Sequence, residues 1–138
     1  MKTNILFEAC VDSVEAAVAA QAGGAGRVEL CAALLEGGLT PSEGAIRLAK
    51  QQLTIPVHVI IRPRGGDFLY SETEFETMKF DIERCKNLGV DGVVIGLLNA
   101  DGTIDEKRTA ELIALARPMK ITVHRAFDMT RDPFEALE

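Results

Sequence analysis

The chain has 138 residues, of which 47% are hydrophobic and 26% are charged, a composition typical of a folded soluble domain. A formal net charge of −6, with no basic patch, argues against a nucleic-acid-binding protein. No stretch approaches the roughly 18 apolar residues of a membrane-spanning helix. Lys2, Asn4 and Glu8 interrupt the first residues, so we expect no secretory signal.

The chain contains three cysteines, Cys10, Cys31 and Cys85. An odd number of cysteines without an export signal is not typical of a disulfide framework. Reduced thiols are the rule in the cytosol. We therefore predict a cytoplasmic protein with free thiols.

Short apolar runs alternate with helical patterns along the sequence. Strands are predicted, in chain order, at residues 5–11, 27–31, 57–62, 90–95 and 120–124. Helices are predicted at residues 13–22, 42–52, 71–88 and 105–116, and a fifth helix is predicted to begin at Asp132. The strands are short and rich in β-branched residues, as expected of a parallel sheet covered by helices.

The third predicted helix has the clearest local signals. Ser71 and Glu74 have the spacing of a capping box, which satisfies backbone donors at a helix start. Four apolar residues recur at helical spacing and predict its buried stripe: Phe75, Met78, Ile82 and Cys85.

Alternating strands and helices predict an α/β fold with right-handed crossovers. An open doubly wound sheet and a segment of a barrel both fit this order. Polar residues at the carboxyl ends of nearly every predicted strand favour the barrel, because a barrel gathers its chemistry there. The Gly-x-Gly-x-x-Gly turn of a dinucleotide-binding sheet is missing. We predict one domain over residues 1–138, a partial TIM (β/α)8 barrel of about four and a half βα units.

The first two strands end in the same pattern, Glu8-Ala9-Cys10 and Glu29-Leu30-Cys31. Side chains two residues apart share one face of a strand, and neighbouring strands lie about 4.8 Å apart. Thiolates suit soft ions such as Cu(I), so Cys10 and Cys31 are candidate metal ligands. The alternative is that both are small buried hydrophobic residues.

Three residues are candidates for acid-base catalysis: Glu8, Glu29 and His124. His124 ends the fifth strand, where a role in proton transfer or ligand binding is plausible. His58 lies early in the third strand, so we expect it to be packed in the interior.

The loop from Arg62 to Asp67 is the most distinctive segment. Its two arginines, Arg62 and Arg64, stand beside two glycines, an arrangement that suits binding of a carboxylate or phosphate. Asp67 either pairs with an arginine or caps the turn. Arg125 and Asp128, which follow His124, are further candidates for contacts with an anionic ligand. The alternative is a salt-bridged loop that closes the mouth of the barrel.

Four segments together resemble the CutC copper-homeostasis family. They are Phe7-Glu8-Ala9-Cys10-Val11-Asp12-Ser13; Arg27-Val28-Glu29-Leu30-Cys31 with residues 36–42; residues 56–70, PVHVIIRPRGGDFLY; and His124-Arg125-Ala126-Phe127-Asp128 followed by Asp132-Pro133. They occur in the family's order and span almost the whole chain.

The resemblance implies a TIM-type barrel, a cytoplasmic location and a part in copper homeostasis. For some members it also implies copper binding through cysteines, which by position points to Cys10 and Cys31. Family members carry further strands, so we expect an incomplete barrel. Its open first and fifth strands and exposed apolar faces predict a homo-oligomer.

Three functions remain open from the sequence. The first is a copper homeostasis protein that binds Cu(I) through Cys10 and Cys31. The second is an enzyme that acts on a small anionic substrate, with Arg62 and Arg64 holding the anion. The third is a chain without activity of its own. None of them calls for a nucleic acid or a membrane as a partner.

Overall fold

A computed structural model describes residues 5–138. Five parallel strands form one sheet in the order β1 to β5: β1 (Glu8–Val11), β2 (Arg27–Leu30), β3 (Val57–Ile60), β4 (Gly92–Ile95) and β5 (Lys120–Val123). Four α-helices connect them: α1 (Val14–Ala22), α2 (Glu43–Gln52), α3 (Glu72–Asn87) and α4 (Glu106–Ala116). Each strand pairs in parallel with the next along the chain, which confirms the predicted α/β fold.

Side-chain caps fix where the helices begin. Ser13, Ser42, Ser71 and Asp105 each accept a hydrogen bond from a backbone N–H in the first turn of the helix that follows. The capping box of Ser71 and Glu74 is present, and the predicted apolar stripe of α3 is buried. Local signals in the sequence therefore predicted this helix correctly.

The inner strands β3 and β4 bury both of their faces. Val28, Val59 and Val93 are fully buried in the core shared with the helices. The next residue along each strand points to the opposite face of the sheet. On that face Cys31, Ile60 and Val94 form a second, smaller apolar group. This second face carries candidate functional residues, among them Cys10 and Glu29.

Two predicted elements were wrong. The first strand begins at Glu8 and not at residue 5, because its partner β2 begins at Arg27, opposite Glu8. No α-helix starts at Asp132: Asp132 accepts bonds from two backbone N–H groups, but only a 3-10 turn, Glu135–Leu137, follows. The N–H of Leu137 donates to the carbonyl of Phe134, three residues earlier, which is the 3-10 pattern. A second 3-10 turn, Arg125–Met129, follows β5.

The edges of the sheet carry exposed apolar side chains. Phe7, beside β1, is 67% exposed, and Val123 in β5 is 49% exposed. Exposed apolar surface favours association. The homo-oligomer predicted from the sequence stays a prediction.

Candidate functional site

Cys10, Glu29 and Cys31 form a compact group, called here the thiol site. Cys10 in β1 pairs in register with Glu29 in β2, and Cys31 follows β2 on the same face as Glu29. The two Sγ atoms are 3.7 Å apart, and Cys31 Sγ is also 3.7 Å from Glu29 Oε1. One ligand atom from each residue lies within 4.8 Å of the others. The parallel register of β1 and β2 thus brings these three residues together, and their role in metal binding stays a prediction.

The surroundings of the thiol site disfavour the charged forms of its three groups. Burial raises the pKa of Cys10, Glu29 and Cys31 above their ordinary values. The charge of Glu29 raises the pKa values of both thiols further. A metal ion that binds here must therefore displace protons.

His124 lies just after β5 and caps the 3-10 turn that follows it. Its Nδ1 accepts a hydrogen bond of 3.1 Å from the backbone N–H of Ala126. The ring lies over Gly96, where an added Cβ would be 2.5 Å from His124 Cε1. Burial, then the positive charge of Arg62, lowers the pKa of His124 to about 4. The imidazole is therefore neutral at physiological pH.

Arg62 is buried, with 3% of its surface exposed. Its Nη1 donates to the carbonyl oxygens of Glu36 (2.7 Å) and Gly38 (3.1 Å), and its Nη2 donates to that of Gly66 (2.9 Å). The guanidinium stacks over the Phe68 ring at 5.0 Å. Arg62 thus holds two loops together, and within residues 5–138 no carboxylate pairs with it.

Arg64 and Asp67 occupy a different place. Arg64 Nη2 lies 3.0 Å from Asp67 Oδ1, and Arg64 Nε lies 2.5 Å from Glu74 Oε1. The hydrogen bonds from Arg64 hold the pKa values of both carboxyl groups below their usual range. These contacts match the salt-bridged loop that the sequence left as the alternative. A role in anion binding for Arg64 and Asp67 stays a prediction.

The prediction that Glu8 lies at the carboxyl end of its strand was wrong. Glu8 opens β1 and forms an ion pair with Arg27 at the amino end of the sheet. Glu8 is the first of the four residues of β1, and Val11 forms the carboxyl end of that strand. Glu8 is thus separated from His124, which lies beyond the other end.

A cavity of about 250 Å³ lies at the carboxyl ends of the strands. Five of the predicted residues line it: Cys10, Glu29, Arg62, His124 and Arg125. Asp128 is exposed in the 3-10 turn after β5 and makes no hydrogen bond or ion pair with another described side chain. A larger cavity of about 690 Å³ lies elsewhere, beside α4 and the last residues, and none of the predicted residues lines it.

Phe68 lines this cavity, whereas His58 is buried outside it. His58 is 1% exposed and packs against Gly92, where an added Cβ would be 2.6 Å from its ring, so it is packed as predicted. Sequence reasoning missed Phe68, whose ring lies between the guanidinium of Arg62 and the ring of His124, with its centroid 5.1 Å from the latter. It stands in a loop without periodicity, so no pattern marked it.

Among residues 5–138, no helix combines the length and the apolar character needed to cross a membrane.

Comparison with known proteins gives consistent results. The sequence model of the CutC family matches residues 5–138. A family protein CutC from Mesorhizobium japonicum is 62% identical over 96% of this chain and 52% of its own length. The copper homeostasis protein cutC homolog of Mus musculus is 59% identical over 98% of this chain and 50% of its own length. The chain thus spans about half the length of these curated relatives.

A solved structure agrees with the sequence comparison. A crystal structure of CutC from Streptococcus agalactiae superimposes with a TM-score of 0.86 at 37% sequence identity. The match covers 91% of this chain and 61% of that one. Sequence and fold lead to the same conclusion: the chain belongs to the CutC family.

Proposed function

We propose that the chain takes part in copper homeostasis by binding Cu(I) at the thiol site. The observation that carries the proposal is the 3.7 Å separation of the Sγ atoms of Cys10 and Cys31. Two sulfur atoms bound to one metal ion at about 2.3 Å each lie within about 4.6 Å of one another. Relatives from Mus musculus and Homo sapiens are named copper homeostasis proteins, which supports the same role.

The residues at the thiol site fit a copper ion as cargo. Two sulfur ligands suit Cu(I), which prefers soft donors, and Glu29 adds an oxygen within 4.8 Å of both. Cys31 is buried, whereas Cys10 is exposed, so an ion can reach the pair from the cavity side. All three cysteines are free, as expected for a cytoplasmic protein, and we propose that location.

The test is a Cu(I) titration of the reduced protein against a competing chelator. We expect one ion per chain, and we expect Cys10→Ser/Cys31→Ser to weaken binding by more than about 100-fold, since loss of outer partners of a metal site alone costs 10- to 100-fold. Cys85→Ala is the matched control, because Cys85 is a buried thiol in α3 outside the thiol site. If the double variant bound Cu(I) as tightly as the parent, the proposal would be wrong.

A second candidate function is acid-base catalysis on a small anionic substrate. Glu29 and His124 line the same cavity, and their pKa values are displaced in opposite directions, upward for Glu29 and downward for His124. Paired groups with displaced pKa values are typical of enzymes that transfer protons. We expect Glu29→Gln and His124→Gln each to abolish turnover of an anionic substrate while preserving the fold. Turnover by either variant at the rate of the parent would exclude that residue from the reaction.

A further inference from the structure

The cavity at the carboxyl ends of the strands has an excess of positive charge and of N–H groups. Arg62 is almost fully buried, and within the described part of the chain neither Arg62 nor Arg125 forms an ion pair with a carboxylate. Burying a cation without a counter-charge is costly. A buried arginine that faces a cavity without such a partner therefore suggests that a ligand supplies the negative charge.

Arg62 and Arg125 converge on one point of the cavity wall. A Cβ added to Gly37 would lie 3.0 Å from Nη1 of Arg62 and 3.3 Å from Nη1 of Arg125. Gly37 thus leaves the space in which the two guanidinium groups approach each other. The charges of both arginines also lower the pKa of His124, so both lie close to its ring.

His124 presents a further donor. Because its Nδ1 accepts the hydrogen bond from Ala126, the proton of the neutral ring is on Nε2. That Nε2 is buried and has no hydrogen-bond partner among residues 5–138. Two cations and a neutral N–H donor thus surround one cavity, and an oxyanion has the acceptor lone pairs that all three lack.

Glu29 does not neutralise these arginines, although it lines the same cavity. Among the described residues, neither Arg62 nor Arg125 forms an ion pair with Glu29, whose pKa is shifted by burial, Glu8, Cys31 and Arg27. The remaining walls are partly apolar, formed by Ile60, Phe68 and Val94. The cavity therefore divides into a thiol end and a cationic end.

We propose that the cationic end, formed by Arg62, His124 Nε2 and Arg125, binds the oxyanion group of a small carboxylic acid or phosphate ester. This site deepens the second candidate function by stating which side chains hold the anion, and it stands independently of copper binding. The sequence analysis included Arg64 and Asp67 among the anion-binding candidates, whereas this proposal assigns the anion to residues that line the cavity.

The test is NMR titration of the protein at pH 7 with inorganic phosphate and, separately, with acetate. We expect saturable shifts of the His124 ring and the Ala126 amide, with the ring of His58 as the internal reference, because the chain has two histidines. A bound anion should also raise the pKa of His124 by about one unit or more, as an opposite charge does. Arg125→Gln should weaken binding about 10-fold or more, because hydrogen bonds that involve a charged group are stronger than neutral ones.

Arg47→Gln is the matched control, because it removes the same charge from α2, where Arg47 pairs with Glu43 outside the cavity, and it should leave the affinity unchanged. Saturation by phosphate alone identifies a phosphate site, and saturation by acetate alone identifies a carboxylate site. Absence of saturable shifts, or equal affinity of Arg125→Gln and the parent, would overturn the proposal. If Cys10→Ser/Cys31→Ser still binds the anion, the anion site is separate from the copper site. If the protein binds an anion but converts none, the catalytic proposal fails and the anion-binding proposal stands.

Discussion

The two arginines of the loop after β3 differ in how their charges are satisfied. Arg64 is 36% exposed and forms ion pairs with Asp67 and Glu74. Arg62, two residues earlier, is buried and donates to three carbonyl oxygens without a carboxylate partner among the described residues. The first region is a completed surface network, and the second leaves positive charge at a cavity. Unsatisfied charge, and not charge itself, distinguishes a candidate binding site from a structural contact.

The largest expected effect is the loss of Arg62. In Arg62→Met, the carbonyls of Glu36, Gly38 and Gly66 lose their donors. The bond to Gly38 is buried and the other two are partly buried, and leaving a buried polar group unsatisfied costs about 1–3 kcal/mol. We expect the free energy of unfolding to fall by about 3 kcal/mol or more, measured by urea denaturation. A loss below about 1 kcal/mol would show that Arg62 does not hold these loops, and the contrast with Arg64 would fail.

Protonation of His124 tests the same cavity. Its pKa is about 4 in the folded chain and ordinarily about 6.5. Between these values the unfolded chain binds a proton that the folded chain does not, so stability falls as the pH is lowered from 6.5 to 4. The expected loss is on the order of 3 kcal/mol.

Urea denaturation at pH 7 and pH 4.5 measures this loss. Glu29, with its raised pKa, acts in the opposite direction, and His58, with its lowered pKa, acts in the same direction. The comparison of the parent with His124→Gln cancels both contributions. If the variant loses as much stability as the parent over this interval, His124 is not held in its neutral form.

The sequence predicted some of these features and could not predict others. Helix α3 followed from Ser71, Glu74 and its apolar stripe, because caps and periodicity are local. The start of β1 depended on where β2 begins, which is a tertiary contact, so Glu8 was placed at the wrong end. Arg62 and Arg64 look equivalent in the sequence. They differ in their tertiary contacts, because Arg62 donates to backbone carbonyls and Arg64 pairs with carboxylates.

Copper affinity should depend steeply on pH. Burial raises the pKa values of Cys10 and Cys31, so both thiols are protonated between pH 6 and pH 8 and binding one ion to both sulfurs releases two protons. We expect the affinity for Cu(I) to rise about 100-fold per pH unit, measured by chelator competition with correction for the chelator's own protonation. A rise of about 10-fold per unit would mean that a single thiol binds the ion.

The smallest expected effect is that of Arg64→Gln. Its ion pairs with Asp67 and Glu74 are partly exposed, and such pairs contribute less than about 1 kcal/mol because water and salt screen them. We expect the free energy of unfolding to fall by less than this amount, with a smaller difference at high salt. A larger loss would mean that Arg64 positions the loop that carries Gly66 and Phe68. In that case the surface network would support the cavity, and the two regions would form one functional unit.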